Sequence, residues 1–187
     1  MSGKRDSIES ELKFLVQGFG SVRERLVELE AERASASALE DNWVLDQDGV
    51  LAGADCLLRV RQDRNGARVT FKGPPSFQGH LKQREERECG IDDAEEMLAL
   101  LERLGFTVVH RYQKHREEWH LGGVTIALDH TPIGDFVEFE GEGAEKLAQR
   151  CGLAPETAER RSYLRLYLDH LSDNPELPRD MLFEDGD

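Results

Sequence analysis

"IESELKFLV", residues 8–16, decides how the rest of the chain is read. Glu9, Glu11 and Lys13 fall on every second position, with Ile8, Leu12 and Phe14 on the alternate set. Successive side chains of a β-strand point to opposite faces, so the charges share one face and the apolar groups the other. The pattern returns along the chain. Arg59 and Arg61 share a face in "LLRVRQ" (57–62), and Lys72 stands two residues from Thr70 in "ARVTFKG" (67–73). Arg84, Glu86 and Glu88 line one side of "QREERECG" (83–90), and Lys114 and Arg116 one side of "KHR" (114–116). "ALD" brings Asp129, and "FVEFE" (136–140) sets Glu138 and Glu140 opposite Phe136, Val137 and Phe139. A solvated face explains any one of these stretches, because Lys, Arg and Glu are mostly exposed. It explains the whole set poorly, since an ordinary wet face would also draw Thr, Ser and Gln.

Between these strands the periodicity is helical. "SVRERLVELEAER" (21–33) carries Val22, Leu26 and Leu29 on one stripe, with Ser21 and Glu24 at capping-box spacing. Asp92 and Glu95 open a second helix that Gly105 closes. Strands are expected at 42–46, 106–118, 123–130 and 134–141, with "LGG" (121–123) turning a hairpin, and helices at 142–151 and 155–171. "PPSFQG" (74–79) reads as a flexible connection placed to act as a lid, and "GFGSVR" (18–23) as a turn into a helix. Residues 1–172 form a single domain, and 173–187 an acidic, proline-broken, loose tail. About eight strands joined by short turns, with three or four helices, give an α+β class.

Composition narrows the function. A net charge of −14 over 187 residues opposes general binding to nucleic acid or anionic membranes. Apolar runs such as "MLALL" (97–101) are too short to span a bilayer, and nothing at 1–10 resembles a signal peptide, so the chain reads as cytoplasmic. Cys56, Cys89 and Cys151 are odd in number and lie in no CxxC pair, which excludes a disulfide framework and a thiolate zinc site. There is no GxxxxGK[ST] phosphate loop. His80, His110, His115, His120, His130 and His170 form no metal motif, and only His120 and His130 are candidates for a tunnel mouth. Trp43 and Trp119 read as packing residues.

A closed antiparallel barrel reconciles the charged faces. Eight strands leave a lumen wide enough for one small ligand. The apolar faces would then turn outward beneath the helices, and the charged faces inward. A lumen with both cationic and carboxylate clusters suits a polyphosphate with its divalent metal: Arg and Lys donate to phosphate oxygens, and carboxylates hold Mg²⁺ or Mn²⁺.

These residues resemble the CYTH domain family, the triphosphate tunnel metalloenzymes. "ESELK" (9–13) matches its ExExK signature, followed in order by "LRVR" (58–61), "TFKG" (70–73), "REERE" (84–88), "KHR" (114–116), "LD" (128–129) and "GDFVEFEG" (134–141), while "RSYLRLYL" (161–168) is similar to its closing helix. The resemblance implies an eight-stranded antiparallel tunnel with helices outside. It implies triphosphate binding by Lys13, Arg59, Arg61, Lys72, Arg84, Lys114 and Arg116. Metal binding would fall to Glu9, Glu11, Asp129, Glu138 and Glu140, with Glu86 and Glu88 as lesser contributors. Glu9, Glu11, Lys13 and Arg116 would be the catalytic set. The family includes class IV adenylate cyclases, thiamine triphosphatases and inorganic triphosphatases, so the substrate would be ATP, thiamine triphosphate or tripolyphosphate. The compact stretch 124–141 is closer to the cyclase pattern, which also implies a homodimer. Triphosphate hydrolysis is the alternative reaction, and a non-catalytic polyphosphate- or nucleotide-binding module the third reading.

Overall fold

The computed structural model describes residues 7–184. Its elements in chain order are β1 (Ser7–Val16), α1 (Gly20–Glu28), β2 (Glu32–Asp46), α2 (Val50–Gly53), β3 (Leu57–Asp63), β4 (Gly66–Lys72), β5 (Ser76–Gln78), β6 (Leu81–Ile91), α3 (Ala94–Arg103), β7 (Thr107–Leu121), β8 (Val124–Thr131), β9 (Gly134–Glu140), α4 (Ala144–Arg150), a 3₁₀ turn (Pro155–Thr157) and α5 (Tyr163–Asp173). The strands run β1-β9-β8-β7-β2-β3-β4-β6, and β6 pairs back onto β1, antiparallel throughout. Eight strands therefore close into a barrel, as the alternation of charges requires, and β5 hangs on the edge of β6. The seam that closes the ring sets Glu9 opposite Arg84 and Glu11 opposite Lys82. Among the described residues no helix is long and apolar enough to cross a membrane.

The wall is inside-out relative to a small soluble barrel. Leu12, Phe14, Ile126, Leu128, Val137 and Phe139 point away from the lumen and pack under Val22 and Leu26 of α1 and Ala144, Leu147 and Ala148 of α4. Leu45, Val60 and Ala67 are covered in the same way by Ala94 and Leu101 of α3. One charge interrupts this outer layer: Glu117 is buried there and accepts from Arg23, Arg33 and the Trp119 indole N–H, tying α1 and β2 onto β7. Trp119 is thus a packing residue.

Several local expectations are corrected. The first helix ends at Glu28, not 33. Glu30 takes a left-handed φ of +58°, Ala31 N–H reaches the Leu26 carbonyl and Glu30 N–H the Val27 carbonyl, a Schellman stop made without the usual glycine. Its N-cap is Phe19 with no side-chain cap, so the Ser21–Glu24 box does not form. The next long helix is capped by Asp93, whose carboxylate accepts from the Glu95 and Glu96 N–H groups, and not by Asp92. β2 begins ten residues before its expected start at 42, and α2 was not foreseen; Asp46 holds α2 by accepting from the Gln47, Leu51 and Ala52 N–H groups. The hairpin after β7 turns on Gly122 and Gly123, both at positive φ, with Leu121 still in the strand. The helix expected over 155–171 is split, its second part starting from Ser162 as cap. Part of the expected lid, Ser76–Gln78, is strand.

Two corrections bear on the lumen. Phe136 shares the face of Glu138 and Glu140 and packs edge-on against Tyr163, 5.1 Å between centroids. As far as residue 184 the expected loose tail is docked, its last three residues lying outside the described ones: where β8 ends, Met181 takes its place beside β7, donating to the Arg111 carbonyl and accepting from Gln113 N–H. Its side chain is 2% exposed among Val44, Tyr112, Phe136, Tyr163 and Tyr167, which plug one end of the barrel. Met181→Ala should therefore cost about 2–5 kcal/mol in urea unfolding, and truncation after Asp173 should cost more; an unchanged midpoint in either variant would contradict this docking.

Candidate active site

The lumen encloses a cavity of about 280 Å³. Every cationic residue expected in the phosphate grip reaches its wall: Lys13, Arg59, Arg61, Lys72, Arg84, Lys114 and Arg116. Glu9, Glu11, Glu86, Glu88, Glu138 and Glu140 share that wall. The faces converge because each strand contributes its i, i+2 set to one interior.

Each cation is held by a partner from another strand or from α5 and its approach. Lys13 is 4% exposed; its ammonium lies 3.3 Å from Glu138, donates to the Arg161 carbonyl and stands 3.9 Å above the Tyr163 ring. Arg59 donates to the Tyr112 hydroxyl, and Arg61 to Asn42 Oδ1 and Glu40 Oε1. Arg116 grips Asp129 with two parallel hydrogen bonds of 2.7 and 2.6 Å and reaches Glu138 with the same guanidinium. Lys114 donates to Asp129 at 2.9 Å. Lys82, absent from the expected set, pairs with Glu11 at 2.8 Å. Arg84 differs: it spends its guanidinium on the carbonyls of Gly73 and Asp55 at the cavity edge.

The carboxylates divide into two groups. Asp129 is fully buried behind the wall and accepts from Lys114, Arg116 and the Tyr163 hydroxyl, so the structure places it under the cations. Glu138 is likewise surrounded; burial opposes its charge, but Lys13, Arg116 and Lys114 hold it far below the usual range. Glu88 bonds Thr70 and Arg68. Glu9, Glu86 and Glu140 instead meet one another. Burial pushes Glu9 up, but hydrogen bonds from Glu86 and Glu140 and the charge of Lys72 more than reverse it and keep Glu9 ionised. Burial, then the hydrogen bond to Glu9, raises Glu86 to about 7. Burial and the Glu9 charge raise Glu140 to about 8. Lys72 sits between Glu9 and Glu86 at 2.6 and 2.8 Å.

As placed, this trio is closed on Lys72 and on its own shared protons, and among the described residues no three acidic, histidine or cysteine side chains stand as a ready metal cage. The donor set nonetheless fits a hard cation: buried, crowded carboxylates that take up protons are those a divalent ion would ionise.

Sequence reasoning missed Lys82, Glu40, Asn42, Tyr112 and Tyr163. Lys82 extends the alternation Lys82–Arg84–Glu86–Glu88 and was legible. Glu40 and Asn42 alternate in "LEDNWV", but the outward Asp41 blurs the pattern. Nothing local marks Tyr163 as an end wall. Of the two histidines expected at a mouth, His120 bonds Glu118, which lines the cavity, whereas His130 lies outside under Phe183 and bonds Asp135.

The chain belongs to the CYTH domain family, whose profile matches residues 7–163. A candidate adenylate cyclase of Methanocaldococcus jannaschii is 27% identical over 172 residues, covering 85% of this chain and 98% of that protein. The structure of a candidate adenylate cyclase from Vibrio parahaemolyticus superposes with a TM-score of 0.77 at 22% identity, covering 88% of this chain and 99% of that one. A candidate adenylyl cyclase from Hippeastrum, reported to have a dominant triphosphatase activity, shares the fold with a TM-score of 0.65 at 18% identity, covering 87% and 96%.

Glu86 and Glu140 bind protons in the fold that the unfolded chain releases above its ordinary carboxylate range, so the metal-free protein loses stability as pH rises from about 4.5 to about 8. His110, held below its usual value by burial and Arg179, works the other way. The wild type should therefore lose more melting temperature than Glu140→Gln between pH 5 and pH 8 (roughly the window of these shifts), and parallel pH profiles would contradict the proton-sharing trio.

Proposed function

We propose that this CYTH-domain protein is a divalent-metal-dependent enzyme that binds a triphosphate inside its tunnel and directs attack at phosphorus, and that its reaction is cyclisation of ATP to cyclic AMP with release of pyrophosphate. The observation that carries this reading is the convergence of the cationic strand faces and the proton-sharing carboxylates on one enclosed cavity.

Lys13, Arg59, Arg61, Lys72, Lys114 and Arg116 would take the phosphate oxygens as charge-assisted hydrogen-bond acceptors. Arg84 would fix the edge of the cavity through the loop carbonyls it already bonds. Glu9, Glu86 and Glu140 would hold Mg²⁺ or Mn²⁺, with Glu11 and Glu138 within the same wall. When bound, the ion would neutralise charge developing on the phosphoryl oxygens. Asp129 acts at one remove: it bonds both Lys114 and Arg116, so it sets where their donors point. Catalysis at phosphorus needs position and charge stabilisation more than a covalent nucleophile, and these residues supply both.

Entry of ligand is then an exchange of partners. Lys72 and Lys13 would leave carboxylates for phosphate, and an ion among Glu9, Glu86 and Glu140 would displace the protons of Glu86 and Glu140 to water. Each cation would thus exchange one anionic partner for another, which makes desolvating a highly charged substrate feasible.

Cyclisation is favoured by the compact β8–β9 hairpin, in which Thr131 pairs directly with Gly134, and by the M. jannaschii relative. Hydrolysis, in which water attacks the terminal phosphorus, is the second reading, supported by the activity reported for the Hippeastrum protein on the same fold. Incubation with ATP, thiamine triphosphate and tripolyphosphate, each with Mg²⁺ or Mn²⁺, separates them. Cyclic AMP with pyrophosphate supports cyclisation, orthophosphate supports hydrolysis, and tight binding without product supports a binding module. Glu9→Gln and Glu140→Gln should each lower turnover at least about a hundredfold with the β-sheet circular dichroism retained; wild-type rates would remove the metal-binding role of these residues.

A further inference from the structure

Tyr112, Tyr163 and Tyr167 are all the tyrosines the chain has, and they stand together in the plug at one end of the barrel. Two of them have committed their hydroxyl protons: Tyr163 donates to Asp129 at 2.8 Å and Tyr167 to the Pro178 carbonyl at 2.6 Å. Tyr112 has not. On β7 it alternates with Lys114 and Arg116, so the strand turns it onto the same inner face, and it lines the main cavity with them. Its hydroxyl accepts from Arg59 Nη1 at 3.0 Å, and among the described residues no acceptor takes its own proton.

We infer that Tyr112 is a further substrate-binding residue of the tunnel, its hydroxyl donating to a phosphate oxygen beside those taken by Arg59 and Lys114. The inference rests on the triphosphate reading above. A phenol only 5% exposed has little water to take its proton, so an uncommitted donor there needs a cause. The groups that face it supply no acceptor. Arg59 and Arg61 of β3 and Lys114 of its own strand are donors only. Glu40 of β2 is held by Arg61 at 3.1 Å and Lys114 at 3.4 Å, and Glu86, whose charge Arg59 also feels, by Glu9 and Lys72. Asn42 gives its amide to the Glu40 and Tyr112 carbonyls and its oxygen to Arg61. Tyr163 and Tyr167 of α5 are already engaged, and the rest of the plug is apolar. An anion entering among these cations is the acceptor the wall lacks.

The surroundings also strengthen the donor. Burial pushes the Tyr112 phenol up, but the charges of Arg59, Arg61 and Lys114, with the bond from Arg59, more than reverse it and hold it below the usual tyrosine value. A phenol so acidified bonds an anionic oxygen tightly and adds no further charge to a wall already crowded with cations. Tyr163 is held well above the usual value by burial and Asp129, and Tyr167 is raised by burial and Asp180. The first phenolate to form in this protein therefore belongs to Tyr112, which makes its proton observable.

Phenolate is followed by its near-ultraviolet absorbance. Binding is followed by titration calorimetry with Mg²⁺ and the imido analogue of tripolyphosphate, whose P–N–P bridges resist turnover. In wild type one phenolate should form below pH about 10, and Tyr112→Phe, which keeps the ring in the plug, should lack it. Saturating analogue should raise that wild-type midpoint by at least about one pH unit, the reciprocal of an about tenfold preference for the protonated phenol. At neutral pH Tyr112→Phe should bind the analogue at least about tenfold more weakly, and the gap should close as pH passes the wild-type midpoint. A tyrosine that merely positioned Arg59 would give the opposite trend, because a phenolate accepts from a guanidinium better than a phenol does. Equal affinity at neutral pH, a gap that persists at high pH, or a wild-type midpoint unmoved by the analogue overturns the inference and leaves the triphosphate reading intact. A wild type that binds no analogue overturns both.

Discussion

Charge buried without a partner is the constraint on which this molecule is built. Taking an ammonium or carboxylate out of water costs roughly several kcal/mol per ion even after relaxation, and only a close opposite charge offsets it. The lumen meets that demand strand by strand: Lys13 with Glu138, Lys72 with Glu9 and Glu86, Lys82 with Glu11, Arg61 with Glu40, Arg116 with Asp129. Most of these partners lie on different strands, several far apart in sequence. An open sheet would part the pairs made across the β1–β6 seam, Lys72 with Glu9 and Lys82 with Glu11. Closure of β6 onto β1 is thus as much an electrostatic requirement as a hydrogen-bonding one, and Glu11 to Lys82 is a pair made directly across that seam.

The same constraint explains why the lumen is not uniform. Its middle is ionic, but one end is filled by Val44, Tyr112, Phe136, Tyr163, Tyr167 and Met181. An apolar plug keeps water from one side of the cavity and lowers the local dielectric, which strengthens the pairs next to it. Tyr163 joins the two regions. Its ring faces Lys13 and Lys114, and its hydroxyl donates to Asp129. Met181, some distance along the chain, seals the plug by completing the wall where β8 stops.

Legibility in the sequence follows from range. The i, i+2 alternation is a property of a few adjacent residues, so the inward faces and hence the barrel could be read from "ESELK", "LRVR", "REERE" and "FVEFE". Which carboxylate meets which cation is set by register between strands distant in sequence, and no local pattern carries it. Asp129 and Glu138 looked alike as acidic residues on inward faces, yet Asp129 lies wholly beneath the cations while Glu138 remains on the wall. The Schellman stop at Glu30 was hidden because a non-glycine residue takes the left-handed position. The tail looked loose because its composition is acidic and proline-broken; what anchors it is one methionine and a few backbone bonds to β7.

Glu9, Glu86 and Glu140 show how far the pairing principle reaches. Elsewhere in the lumen cations answer the carboxylates; here Lys72 is one charge among three acids, and protons supply what is missing. Protons are weak substitutes, because their retention lapses as pH rises through the very values that burial and crowding produce. On the proposed function, a divalent ion would give the compensation independent of pH, and a triphosphate would return to Lys72 the anion it surrenders. Substrate and metal would then be favoured together more than either alone. Each would remove the repulsion that the other, entering first, has to meet, and Lys72, exchanging partners, would couple their binding.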